Sequence, residues 1–263
     1  MAIKYLASKR ITGTNAERLA TVEADATYET NFSSNTGWSS SSTSQLEVTN
    51  NELQIKQVTY TGNQINYDLS SQVSGSSLAD SWVLRYDLEW SGSQSSSPLF
   101  WINISDNTAL GNGNQDALSL QLYHGQTSGF KIMKSDGIRP DQSGSGSVDL
   151  SPTTAIGYGT KYFIEHIRNG QDFTVNVRTG SHTGTLVCTG TISSFASTIT
   201  GLKYFKTISY QGSGISGVLD NLKFWNDVTT TTTTANIQTN SIWEESDTGK
   251  HFIYNGSAWT DIV

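Results

Sequence analysis

The chain has 263 residues, with 16 Lys and Arg against 23 Asp and Glu and a formal net charge of −7. Phosphate-backbone binding needs clustered basic residues, and here they are few and scattered, so a nucleic-acid surface is excluded. Cys188 is the only cysteine, which rules out an intrachain disulfide and a cysteine-based zinc site.

Only 15% of residues are charged, glycine numbers 24, and Ser and Thr crowd the middle of the chain. That texture predicts many short strands joined by tight turns. The opening MAIKYLASKR is too polar for a signal peptide, and no stretch approaches the roughly 20 apolar residues of a membrane span. Synthesis in a cytoplasm and no membrane insertion are expected. Asn31, Asn103 and Asn255 head glycosylation sequons, which mean little without secretion.

Residues 1–27 show neither strand nor helix periodicity and read as an anchoring arm. Alternation begins at Tyr28. QLEVTNNELQI predicts a hairpin turning at Asn50 and Asn51. WVLRYDLEW is the strongest strand, with Trp82, Leu84, Tyr86, Leu88 and Trp90 on one face and Arg85, Asp87 and Glu89 on the other. PLFWINI, apolar on both faces, is placed centrally; ALSLQLY and FKIM follow. KYFIEHIRNGQDFTVNVR predicts a hairpin at Asn169 and Gly170, of the type I′ that both residues tolerate.

Further strands are read at TLVCTGTI, LKYFKTISY and GVLDNLKFWN. In the last, the apolar spacing slips from two to three between Leu219 and Leu222, which predicts a β-bulge near Asp220 and Asn221. Some ten to thirteen strands between Tyr28 and Asp227, with no helical run, predict an all-β fold of two antiparallel sheets packed face to face.

The six threonines Thr229–Thr234 lie in a segment, 228–236, that reads as a linker. Residues 237–263 then predict a three-stranded β-meander with turns at Asp247–Lys250 and at Asn255 and Gly256. Its aromatics Trp243, Phe252, Tyr254 and Trp259 need something to pack against, because three short strands alone are marginal. This makes the segment a candidate docking module, onto its own sandwich or onto another protein.

FSSNTGWSSSSTSQLEVTNNELQI, DSWVLRYDLEWSGS and GVLDNLKFWNDV, in this order, resemble jelly-roll domains of the concanavalin A-like lectin and laminin G class, especially those of marine microbes and their viruses. The resemblance covers residues 28–227 and implies a jelly-roll sandwich whose closing strand lies beside its first. The segments KYLASKRITGTNAERLA and NSIWEESDTGKHFIYNGSAWTDIV resemble the ends of structural proteins from marine phages and archaeal viruses. Together they imply a virion structural protein, a decoration, spike or fibre component on the particle surface. Its expected partners are other virion proteins, further copies of itself and a host-surface glycan.

Glycoside hydrolases share this fold, and the resemblance would place their carboxylates on one strand as Glu-x-Asp-x-x-Glu. No segment matches: Glu23-Ala-Asp25 has Tyr28 where the third acid should be, and Asp87 and Glu89 share their face with Arg85, as on a salt-bridged outer surface. His124, His166, His182 and His251 are isolated, and neither a nucleophile elbow nor a P-loop occurs. The chain therefore reads as non-enzymatic. A carbohydrate-active enzyme or its accessory glycan-binding domain, and a coat protein with no sugar ligand, stand as alternatives.

Two binding candidates remain. In SDNTALGNGNQDA, Asp106, Asn112, Asn114 and Asp116 offer the hard oxygen ligands of a Ca2+ site, weighed against an ordinary loop. Trp101, Tyr123 and Tyr158 lie near Asn- and Gly-rich segments and could stack on a pyranose ring, weighed against sheet packing.

Overall fold

The computed structural model describes residues 10–13, 21–56, 63–91, 97–109, 113–124, 129–138, 146–152, 159–209, 216–234, 242–255 and 259–262. The chain divides into two units: Ala26–Thr229 is one, and Met1–Asp25 together with Thr230–Val263 is the other.

In chain order the strands are β1 (Arg10–Gly13), β2 (Thr21–Glu23), β3 (Tyr28–Thr30), β4 (Trp38–Ser40), β5 (Leu46–Thr49), β6 (Glu52–Ile55) and β7 (Gln64–Asp68). After a 3-10 turn at Leu69–Gln72 come β8 (Ser81–Ser91), β9 (Ser97–Ser105), β10 (Gln115–His124), β11 (Gly129–Ile138) and β12 (Gly146–Asp149). Next are β13 (Tyr162–Asn169), β14 (Asp172–Thr179), β15 (Thr185–Ile192), β16 (Tyr204–Ser209) and β17 (Ser216–Asn226). The remainder are β18 (Thr232–Thr234), β19 (Ile242–Glu245), β20 (His251–Tyr254) and β21 (Trp259–Asp261). No described helix is long and apolar enough to cross a membrane.

The larger unit is a two-sheet antiparallel sandwich. One sheet runs β12-β11-β10-β9-β16-β7-β4; the other runs β15-β14-β13-β8-β17-β6-β5, with β3 also on β17. β8 sits near the middle of its sheet because its alternation is complete: Trp82, Leu84, Tyr86, Leu88 and Trp90 all enter the core. β9 is central in the opposite sheet and contributes Ile102 and Ile104, facing Leu118, Leu120 and Leu122 of β10. Burying each such side chain contributes about 1.5–3 kcal/mol.

Local chemistry sets the turns. Asn50 and Asn51 both have positive φ, 54° and 62°, as a type I′ turn requires between β5 and β6. Between β13 and β14 only Gly170 does, at 60°, and Asn169 instead pairs with Asp172. The turn residues are thus Gly170 and Gln171, and the single glycine at the first central position gives the II′ pattern in place of I′.

The slip in β17 is a bulge: its register on β8 shifts between Asp220 and Lys223, and Asn221 adopts φ 50°. On its other edge β17 pairs first with β6, at Gly217–Leu219, and then with β3, at Leu222–Phe224. The bulge falls where one partner gives way to the next, and the last sandwich strand lies beside the first.

The smaller unit holds the meander β19-β20-β21, with the first expected turn between β19 and β20; the second, at Asn255 and Gly256, runs outside the described residues. Trp243 pairs in register with Phe252, and Tyr254 with Trp259. Trp243 and Phe252 are buried, Tyr254 and Trp259 half-buried, and the Trp259 ring lies 6.1 Å from Trp243 and 5.3 Å from Tyr254. β1 adds to β19 in parallel, completing a four-stranded sheet. β18, in the threonine tract, pairs with β2, and Ala24 N–H donates to Thr231 O at 2.7 Å. The arm, the threonine tract and the tail, read apart in the sequence, are thus joined strand to strand.

Candidate functional site

Alternate residues of the seven-stranded sheet leave the core for its outer face, and on the central strands these include Asn103, Ser119 and Lys206 beside the apolar Ala117 and Ile208. Register carries one row across the sheet, from Asn66 through Lys206, Asn103 and Ser119 to Met133 and Ser147. Directly paired side chains on one face lie about 4.5–5.5 Å apart at Cβ. Asn103, Ser119 and Lys206 are each 0% exposed.

The described start of the connection from β9 to β10 is tied to this sheet by side-chain hydrogen bonds. Lys206 Nζ donates to Ala109 O at 3.1 Å and to Gln115 Oε1 at 2.6 Å. Gln64 Nε2, from β7, donates to Thr108 O. The loop is braced by its own polar groups: Ser105 Oγ donates to Asn107 O at 2.9 Å, and Ala109 N–H donates to Asn107 Oδ1 at 2.8 Å. Side chains from β7 and β16 thus hold a strap, Asp106–Ala109, that belongs to neither strand.

Burial shapes the electrostatics here. It lowers the Lys206 ammonium from its ordinary value to about 7, against the opposing pull of the Asp106 carboxylate. Burial likewise raises Asp106, and the nearby Asp116 carboxylate adds to the rise. On the same sheet, Asn103 Oδ1 and Nδ2, Gln115 Nε2, Gln64 Oε1, Ser119 Oγ and Ser135 Oγ have no hydrogen-bond partner among the described residues. Buried polar atoms are nearly always paired, and each that is not costs about 1–3 kcal/mol. A group of them on one face is the chemistry of a site for a polar ligand.

Sequence reasoning missed these residues. The signal was a polar residue set among apolar ones: Asn103 in WINIS, Ser119 in LSLQL, Lys206 in YFKTI. Asn103 also heads a sequon, yet its complete burial leaves no room for a glycan on its nitrogen.

Of the predicted stacking residues, Trp101 pairs in register with Gln121 and Ile208, one row from Asn103, and Tyr123 with Pro98 and Gly129. Their side chains, like Tyr158 and Asn112 as a whole, lie outside the described residues. Asp106 and Asp116 stand at the base of the strap with their oxygens turned to backbone amides. Asp106 Oδ1 accepts from Asp116 N–H at 3.0 Å, while Asp116 accepts from Gly137 N–H at 2.7 Å and Thr200 N–H at 3.3 Å. Asn114 contributes its backbone carbonyl, which accepts from Asn107 Nδ2 at 3.3 Å. Among the described residues no cluster of three or more His, Cys, Asp or Glu is disposed to hold a metal. These hydrogen bonds brace the described part of the loop that holds the Ca2+ candidate.

The outer face of the other sheet is a network of paired charges. Arg85 donates from Nε (2.9 Å) and Nη2 (2.7 Å) to Glu165 Oε1, and Asn176 Nδ2 donates to Glu165 Oε2 at 2.9 Å. Asp87 accepts from Asn221 Nδ2 at 2.9 Å and faces His182 Nε2 at 3.4 Å and Lys161 Nζ at 3.9 Å. Glu89 is exposed. Cys188 is buried, which pushes its thiol up to about 12, well away from the reactive thiolate.

No family model matches the chain, and no curated protein matches its sequence. Solved structures do match. The CBM2 module of the evolved Dit of Lactobacillus casei BL23 phage J-1 is 12% identical with TM-score 0.51, covering 78% of this chain and 97% of that one. The carbohydrate recognition domain of Emp47p is 15% identical with TM-score 0.53, covering 78% and 98%. The GH43 protein BlXynB of Bacillus licheniformis is 13% identical with TM-score 0.53, covering 78% of this chain and only 40% of that one. At such identities the likeness is one of fold: the sandwich is a two-sheet antiparallel jelly roll, the fold these neighbours share.

Proposed function

We propose that this chain is a non-enzymatic, lectin-like module of a virion, a decoration, spike or fibre component that binds host-surface glycan on the outer face of its seven-stranded sheet. The observation that carries the proposal is the group of amide and hydroxyl atoms without partners at Asn103, Gln115, Gln64 and Ser119. Sugar hydroxyls are recognised by such groups, each acting as donor or acceptor, and the fold is shared with a carbohydrate recognition domain. Support for a particle comes from the phage module with the same fold and from the resemblance of both flanking segments to virion proteins. In this reading the smaller unit attaches the sandwich to other virion proteins or to further copies of the chain, through the aromatics Trp243, Phe252, Tyr254 and Trp259.

A glycan array with the intact chain, run with and without Ca2+, tests the binding proposal. Signal that weakens in Lys206→Met or Asn103→Leu supports it; an array with no signal under either condition favours a coat protein without a sugar ligand. A second reading is favoured by the match to 40% of BlXynB, namely an accessory domain of a carbohydrate-active enzyme or such an enzyme itself. Turnover of a polysaccharide panel that disappears in Asp87→Asn would establish the enzyme in place of the binder.

A further inference from the structure

We propose that Lys206 and Gln115 join through an intramolecular isopeptide bond, Nζ to Cδ, which makes a covalent staple between β16 and the start of β10. Lys206 Nζ donates to Gln115 Oε1 at 2.6 Å, and the two residues are 0% and 1% exposed. With a C=O bond of about 1.23 Å, Nζ then stands about 3–3.8 Å from Cδ, close to the roughly 3–3.5 Å of reacting atoms poised for attack. The end of a glutamine side chain turns in a broad torsional well, so the carbonyl can present its face to the amine in place of its oxygen. The other amide atom, Nε2, has no hydrogen bond among the described residues to oppose its departure.

An amine attacks only as the free base. Burial lowers the Lys206 ammonium to about 7, so near neutral pH about half of it is the free amine. In the step, the Nζ lone pair forms a bond to Cδ, the Cδ–Nε2 bond breaks, and one proton passes from Nζ to Nε2, which leaves as ammonia. An amine and a primary amide become a secondary amide and ammonia, with no oxidant or further reactant. The Asp106 carboxylate, whose charge already acts on Lys206, favours the positive nitrogen that forms during attack. Asn103 is a second carboxamide, the register partner of Lys206 on β9, but no hydrogen bond joins it to Nζ. The geometry therefore selects Gln115.

The bond closes a loop between residues 91 positions apart, in a chain whose single cysteine rules out an intrachain disulfide. Such a closure restricts the unfolded chain as a disulfide does. It concerns how the sheet is held together and is independent of the glycan-binding reading, since Asn103, Gln64 and Ser119 are untouched by it.

Intact-mass spectrometry of the purified full chain is expected to read about 17 Da below the mass of the sequence, the ammonia released. Tandem spectra of a digest should show a peptide joining Gln115 to Lys206. Lys206→Met and Gln115→Leu each remove one reacting group; both should carry their full mass and melt at least about 5 °C below the linked chain. The full sequence mass in the purified wild-type chain overturns the proposal, whether or not either variant folds. So does a linkage of Lys206 to Asn103, or a loss of ammonia confined to an Asn-Gly sequence such as Asn169 and Gly170, which a cyclised succinimide explains.

Discussion

The Tyr86 hydroxyl lies 2.9 Å from His166 Nε2 inside the sandwich, and both residues are 0% exposed. Around them are apolar rings: Phe173 at 5.6 Å from the imidazole and Phe205 at 6.5 Å from the tyrosine. Burial depresses the imidazole to about 3 and raises the Tyr86 hydroxyl well above its ordinary value. The folded protein therefore keeps His166 neutral where the unfolded chain would protonate it. A depressed histidine contributes its full stability above the unfolded value near 6.5 and loses it as pH falls toward 3, at about 1.4 kcal/mol per pH unit. Calorimetric melts should show a loss of about 2–3 kcal/mol between pH 6 and pH 4 from this group. The double variant Tyr86→Phe, His166→Leu should flatten that part of the profile; an unchanged slope would assign it to other groups.

Glu165 and Arg85 are each 12% exposed in their side chains, and the guanidinium also lies 5.6 Å over the Trp225 ring. Removing one partner of a mostly buried pair strands the other charge, whereas replacing both removes the problem. Glu165→Leu is expected to cost about 3 kcal/mol and the double variant Arg85→Leu, Glu165→Leu less than half of that. Urea melts of the two variants measure the difference, and equal costs would show that the network around Asn176 and Thr189 matters more than the ion pair.

Asn221 serves the bulge twice, by its positive φ of 50° and by its hydrogen bond to Asp87. Asn221→Gly retains the backbone freedom and loses the Nδ2 hydrogen bonds to Asp87 and, at 3.2 Å, to Asp220, at about 1 kcal/mol. Asn221→Val adds a β-branched side chain in the left-handed region and is expected to cost about 2–3 kcal/mol. If both variants melt alike, the backbone conformation at 221 is not what the side chain secures.

Deleting residues 1–25 removes the partners of Ile242–Glu245 and Thr232–Thr234. Amide exchange in those two strands should then quicken by at least about tenfold, since unpaired edges open with little cost. The sandwich begins its own pairing at Tyr28, so its melting transition should move by less than about 2 °C. Unchanged protection in Ile242–Glu245 would mean that β1 adds nothing to the sheet.

Period-two alternation made much of this fold legible before any coordinates. It placed Trp82 to Trp90 on the core face, put the bulge at Asp220 and Asn221, and divided the tail into three strands, because each of these is a local pattern. Pairing between distant segments left no such mark. Nothing in RITG or in a run of threonines announces a partner, yet Arg10–Gly13 pairs with Ile242–Glu245 and Thr232–Thr234 with Thr21–Glu23. Alternation likewise turned Asn103 and Ser119 away from the core, but only the fold shows the Asp106–Ala109 segment tied to Gln64 and Lys206. The aspartates Asp106 and Asp116 were conspicuous as ligand types, and the hydrogen bonds their oxygens accept from distant backbone amides were not legible.

The pairing of β1 with β19 and of β2 with β18 imposes an order on biosynthesis. Both N-terminal strands leave the ribosome before any of the sandwich, but their partners are made only after it. The sandwich can complete its two sheets once Asn226 has emerged, while Arg10–Gly13 and Thr21–Glu23 wait unpaired until the last segment follows. The smaller unit therefore forms only after the sandwich has been made, and a chain halted before Ile242 would carry a finished sandwich without the β1–β19 pairing.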